Sequence, residues 1–174
     1  NNEDTGTLQY LASTAMEAGF STRVLDMQAL DLQNGRFFDP AGELVNRCFK
    51  LYPWEWMVDE SPDGCLAEME WLEPIWKLVM SNKAILATLY ELFPDSPYVL
   101  PCYLSRPRSG LFCKKPVFSR EGHNVSVVDI RDWEEYVRIA ETEGDYNTGA
   151  YVYQEYVEPT AYSGRYPVIG SWII

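Results

Sequence analysis

Two lysines occupy positions where an ammonium group is awkward unless an anion lies close by. Lys83 falls in the first turn of a helix predicted over SNKAILATLYELF. A cation there opposes the macrodipole, which favours anions at that end. An anion held jointly by the helix N-terminus and the ammonium offsets this, whereas a solvated lysine simply bears a cost of roughly a few tenths of a kcal/mol. Lys115 precedes Pro116, so its backbone is extended. Strand alternation then sends Lys114 and Lys115 to opposite faces, one to solvent and one inward. The inward lysine needs an anionic partner, because an unpaired buried charge is too costly.

Two further stretches have residue types suited to a phosphorylated or aromatic ligand. Ser119 to Asn124 reads as a connection between paired strands, and Gly122 lets the backbone approach closely. Such a loop is either an ordinary hairpin turn or a set of N–H groups laid over phosphates. The Tyr- and Val-rich AYVYQEYVE reads as a strand covered on both faces. It is either a core strand or a support for an adenine ring, held by backbone N–H and C=O groups with one hydrogen bond from Gln154.

Charge sets limits on the partner. The 174 residues carry a formal charge of −12, which argues against a phosphate-backbone partner such as nucleic acid. Yet five basic residues (Arg106, Arg108, Lys114, Lys115, Arg120) lie between Ser96 and Arg120 with no Asp or Glu among them. A basic pocket in an acidic body suits a small anion, and a solvated loop is the plainer reading. The single His123 and four cysteines without CxxC spacing argue against a zinc site and leave the thiols buried or idle in a cytoplasmic setting. The same scarcity excludes a Ser or Cys triad, and neither GxxxxGK[ST] nor GxGxxG occurs. No window has the apolar length of a membrane span.

The elements that must position these residues follow from periodicity and turn signals. A helix capped by Asp4 or Thr5 runs to about Ala18, with Gly19 as its stop. TRVLDM reads as a strand. Asn34-Gly35 marks a hairpin and Asp39 to Gly42 a turn. Ser81 is expected to cap the Lys83 helix, whose inner side is Ile85, Leu86, Leu89 and Phe93, with Pro94 and Pro97 ending it. YVLPCYL is extended. Asp132 with Glu135 three residues on resembles a capping box for a helix whose inner stripe is Trp133, Tyr136, Val137 and Ala140. YPVIGSWII reads as a last strand. The mixture is α/β (α+β), long enough for one domain or two small subdomains. The chain starts at Asn1 without Met and stops inside an apolar run, so a fragment is expected.

FKLYPWEWM, EPIWKLVMSNKAIL, ELFP, KKPVFSREGHNV, YQEYV and YPVIGSW occur in that order and together cover nearly the whole chain. They resemble the synthetase domain of the glutathionylspermidine synthase family, most of all its single-domain bacterial members without an amidase half. The resemblance implies an ATP-grasp-like, partial fold. Residues 1–70 would be an N-terminal α/β part with hairpins on the substrate side. Residues 71–174 would be the nucleotide-binding subdomain, truncated at its C-terminus. It implies ATP-dependent ligation of a peptide carboxylate to a polyamine or other amine through an acyl phosphate, with Mg²⁺. Lys83 and Lys115 would be the phosphate lysines, with Arg120, Glu121 and Gly122 in the loop that closes over the phosphates. Gln154, Glu155, Tyr156 and Val157 would form the hinge strand receiving adenine, and Glu55 the acidic residue near the amine.

In that family the metal-binding acidic residues and Asn, and the arginine that stabilises the transition state, lie upstream of the matched region. Another nucleotide-contacting stretch lies beyond residue 174. The resemblance therefore implies part of an ATP site, with no catalytic or metal ligand in this segment and no activity for the segment alone. A non-catalytic binding or assembly module on the same fold, or a ligase for other peptide and amine substrates, remains the alternative.

Overall fold

The computed structural model describes residues 3–132, 135–146 and 149–170. The chain divides into two compact units, Asn1–Val79 and Met80–Ile174.

The first unit opens with helix α1 (Glu3–Glu17). Gly19 ends it at φ +89°, with Gly19 N–H donating to Met16 O and Phe20 N–H to Ala15 O. This is the Schellman arrangement, and it needs the left-handed backbone that glycine supplies. TRVLDM is not a strand. Instead Asp26 caps a 3-10 turn over Met27–Ala29, its carboxylate accepting from Gln28 N–H. Competition from a local side-chain cap defeats the extended pattern here.

Strands β1 (Asp31–Gln33) and β2 (Arg36–Phe38) flank Asn34 and Gly35, both at positive φ as a type I′ hairpin demands. β3 (Leu44–Val45) adds to β2 after the Asp39 turn, in which Asp39 accepts from the N–H groups of Ala41 and Glu43. β4 (Arg47–Phe49) pairs in parallel with β5 (Glu70–Leu72). Helices α2 (Trp54–Glu60) and α3 (Pro62–Cys65) lie between these two in sequence. The core of this unit is Phe37, Trp54 and Met57, with Trp71 edge-on to both Phe37 and Trp54.

The short helix α4 (Leu78–Ser81) carries the division, and α5 (Ala84–Leu92) belongs to the second unit. Ser81 is therefore not the cap of α5. Lys83 holds the cap position without a side-chain cap, and Asn82, one residue earlier, accepts at its Oδ1 from Ala84 N–H at 2.8 Å. The inward stripe also differs from expectation: Ala84, Leu86, Ala87 and Tyr90 face the sheet, and Phe93 is 56% exposed.

The second unit is built on a five-stranded antiparallel sheet in the order β6-β10-β7-β8-β9. Its strands are β6 (Cys102–Tyr103), β7 (Gly110–Pro116), β8 (Ser126–Ile130), β9 (Tyr136–Glu141) and β10 (Tyr151–Glu155). One face packs Cys102, Val117 and Val152 against α5, and the other holds Phe112, Val128, Ile130 and Tyr153. The capping-box helix is replaced by the exposed edge strand β9. Asp132 still accepts from Glu135 N–H at 2.8 Å, but Arg131 N–H and Asp132 N–H donate back to Glu135 O, so the chain reverses instead of coiling. Trp133 lies outside the described residues. YPVIGSWII shows no strand over 166–170, where Val168 is 98% exposed, and its remainder lies outside the described residues.

Candidate functional site

β7 and β10 are neighbours in the centre of the sheet, in the register Val152 to Lys115 and Gln154 to Cys113. Side chains at paired positions point to one face, so Lys115 and Gln154 lie on the side that carries α5. Lys115 Nζ donates to Gln154 Oε1 at 2.6 Å, across 39 positions of sequence. This acceptor is a neutral amide oxygen, not the anionic partner expected from burial, so the bond orients the ammonium without cancelling its charge. Cys102 and Cys113 flank this place. Burial pushes both thiols up, while the Lys115 charge pulls them back. The four cysteines are free.

Lys83 immediately precedes α5, and its backbone N–H donates to Val117 O at 2.9 Å. The N-terminus of α5 is thereby joined to the chain two residues beyond Lys115. Lys83 Nζ donates to both the carbonyl (2.6 Å) and the hydroxyl (2.9 Å) of Ser119. Lys114 takes the opposite face, as alternation requires. It is half-buried there, its ammonium 4.0 Å from the centre of the Tyr151 ring, so neither lysine is given over to open solvent.

The connection from β7 to β8 contains a tight turn in which His123 N–H donates to Arg120 O, with Glu121 and Gly122 both at positive φ. A Cβ at Gly122 would meet nothing within 4 Å. The residue is needed for its left-handed backbone, and close approach of another group is not the reason. Glu121 holds the same conformation at a cost that a non-glycine residue rarely bears. The segment after β9 pins this loop. Thr142 Oγ1 donates to Gly122 O and accepts from Val125 N–H, Thr142 N–H donates to Val125 O, and Asn124 Oδ1 accepts from Tyr146 N–H at 2.7 Å. Asn124 closes the loop read from the sequence, whereas Thr142 and Gly144 were not singled out there. The helix expected over 132–140 hid the fact that the following residues return to the loop.

In the hinge segment, Glu155 N–H donates to Pro101 O and Tyr156 N–H to Leu111 O. Those two backbone donors are engaged within the protein, and Val157 is 57% exposed. Glu55 belongs to the first unit, in the first turn of α2, where the helix dipole favours a carboxylate. It is one of several groups whose charge acts on the buried Lys50. The structure thus brings Lys83, Lys115 and Gln154 together with the Arg120–Gly122 loop in one unit, and Glu55 stands in the other. Among the described residues, no three His, Cys, Asp or Glu side chains cluster to hold a metal ion. No helix among them is long and apolar enough to cross a membrane.

A Haemophilus influenzae protein provisionally named acid–amine ligase is 34% identical over 181 residues, covering 99% of this chain and 46% of its own length. Trypanothione synthetase of Crithidia fasciculata is 35% identical over 107 residues, covering 60% of this chain and 16% of its own. The bifunctional glutathionylspermidine synthetase/amidase of Escherichia coli K12 is 29% identical over 152 residues, covering 69% and 24%. The chain spans less than half the length of these relatives. The preATP-grasp family of glutathionylspermidine synthase matches residues 1–174, in keeping with a mixed α/β, partial ATP-grasp-type fold. The whole of this chain, from the α1 unit to the five-stranded sheet, belongs to the glutathionylspermidine synthase preATP-grasp family of ligases.

Proposed function

We propose that the complete protein is an ATP-dependent carboxylate–amine ligase acting in the cytoplasm, and that residues 80–174 provide part of its grip on the nucleotide. The names of the relatives support a peptide carboxylate as the acid and a polyamine or a similar amine as the second substrate. When bound, ATP would pass its γ-phosphoryl group to the carboxylate and leave as ADP, and the amine would then displace inorganic phosphate from the acyl phosphate to form the amide. Lys83 and Lys115 spread the phosphate charge, the task for which preorganised cations are suited. Arg120, Glu121 and Gly122 present a loop whose positive-φ turn aims backbone N–H groups at the phosphates. Gln154 to Val157 receive the adenine. Glu55 stands for the acidic group that draws in the amine. The residues described do not make a Mg²⁺ site of their own.

The observation that carries this reading is the 2.6 Å bond from Lys115 to Gln154, which ties the phosphate lysine to the strand proposed for adenine. It is supported by the α5 N-terminus, bonded to the chain two residues further on. In the complete enzyme, Lys115→Met is expected to weaken ATP binding about 10- to 150-fold, the value of one charge-assisted hydrogen bond. Calorimetric titration reads this directly, and an unchanged affinity removes Lys115 from the site.

A further inference from the structure

The nucleotide reading uses Lys115 and Arg120 of the five clustered basic residues and, Arg108 apart, leaves Arg106 and Lys114 without a task. The fold brings these two to one cleft of about 100 Å³, on the face of the sheet away from α5. Val128 and Ile130 of β8 line it together with Tyr136 of β9 and Tyr153 of β10. Both cations are held in place. Arg106 Nη2 donates to Asp132 O at 2.8 Å, and its guanidinium carbon lies 5.0 Å from the centre of the Tyr136 ring. Lys114 sits over Tyr151. Glu141, paired across from Ser126, is engaged by Arg138 and by the Ser126 hydroxyl.

Two fixed cations in one cleft draw in an anion, and Arg offers a fork that matches a carboxylate. The lining decides which anion. A hydrated inorganic ion gains nothing from the Tyr136 and Tyr153 rings, whereas an apolar group attached to the anion is buried against them, above a closed floor of Val128 and Ile130. We propose that this cleft binds a small organic carboxylate, its oxygens on Arg106 and Lys114 and its apolar part against the Tyr136 and Tyr153 rings. The cleft faces away from the Lys115–Gln154 pair, so the inference does not depend on the nucleotide reading.

The full-length protein is titrated with benzoate, N-acetylphenylalanine, benzyl alcohol and inorganic phosphate by calorimetry, with methyl NMR in parallel. Benzoate stands for a free acid and N-acetylphenylalanine for a peptide C-terminus. Saturable binding of either carboxylate is expected, with shifts at the methyl groups of Val128 and Ile130, and none with benzyl alcohol. Lys114→Met and Arg106→Gln are each expected to weaken binding about 10- to 150-fold. Saturation by phosphate alone, shifts confined to other methyl groups, or carboxylate affinity unchanged in both variants overturns the proposal. Because the wild-type shifts alone locate the ligand, the test stands even if one variant fails to fold.

Discussion

Lys50 is 3% exposed, donates to Tyr52 O at 2.8 Å and lies 3.8 Å from the centre of the Trp54 ring. Burial lowers its pKa, and Glu73, Cys48 and Glu55 pull it back up. The next titrating neighbour moves the other way. Burial, and then a hydrogen bond to the Glu60 carboxylate, push the Tyr52 phenol up from 10.0 to about 12. Between those values the folded chain keeps a proton that the unfolded chain has released. Stability therefore falls as pH rises through that window. Urea midpoints measured from pH 10 to about 12 are expected to decline less steeply for Tyr52→Phe than for the parent. Tyr103 and Tyr153 are raised too, so the slope is reduced and not abolished. Parallel declines in the two proteins count against the Tyr52–Glu60 bond. None of this was legible in the sequence: FKLYPWEWM shows an aromatic run, and only the fold turns Lys50 inward.

At the scale of elements, local signals succeeded wherever the deciding partners lie within a few residues. Asn34-Gly35 made its hairpin, and Gly19 stopped α1. Asp132 and Glu135 show where such signals fail. The cap hydrogen bond formed as expected, but β8 offered an edge, and residues 136–141 took it as a strand. That choice places Gly144 beneath the Arg120–Val125 loop. A Cβ on Gly144 would lie 2.5 Å from His123 Cβ and 2.8 Å from Asn124 Oδ1, closer than either contact tolerates. Gly144→Ala must therefore move the loop, at a cost of about 1–3 kcal/mol for overpacking. If that loop covers the phosphates as proposed, ATP affinity of the complete enzyme falls with it. Calorimetric titration showing normal affinity in a folded Gly144→Ala protein would separate the loop from the nucleotide.

At the scale of the molecule, each unit has a core of its own, one aromatic and one largely aliphatic. Ile130, Val128 and Val152 are among the most fully buried side chains, at 2%, 1% and 0% exposure. Ile130→Ala is expected to destabilise the second unit by about 2–5 kcal/mol, the transfer loss plus the cavity left behind. Denaturant unfolding followed by a probe in that unit measures it. A loss below about 1 kcal/mol would mean that the face bearing Phe112 and Tyr153 contributes little. The same face carries the Arg106–Lys114 cleft, so the test also reports on the floor of that site.

The sequence by itself determined the mixed α/β class, the family, the first hairpin, and the residue types from which an anion site is made. Each rests on composition, on ordered motifs, or on backbone preferences settled within about one turn of chain. Only the tertiary structure decided that β10 inserts between β6 and β7, bringing Gln154 to Lys115 from 39 positions away. It also decided that residues 136–141 are a strand and that YPVIGSWII is not one over 166–170. The physical reason is common to all three. A strand is stabilised by the edge it pairs with and the surface it covers, and those belong to residues far off in the chain.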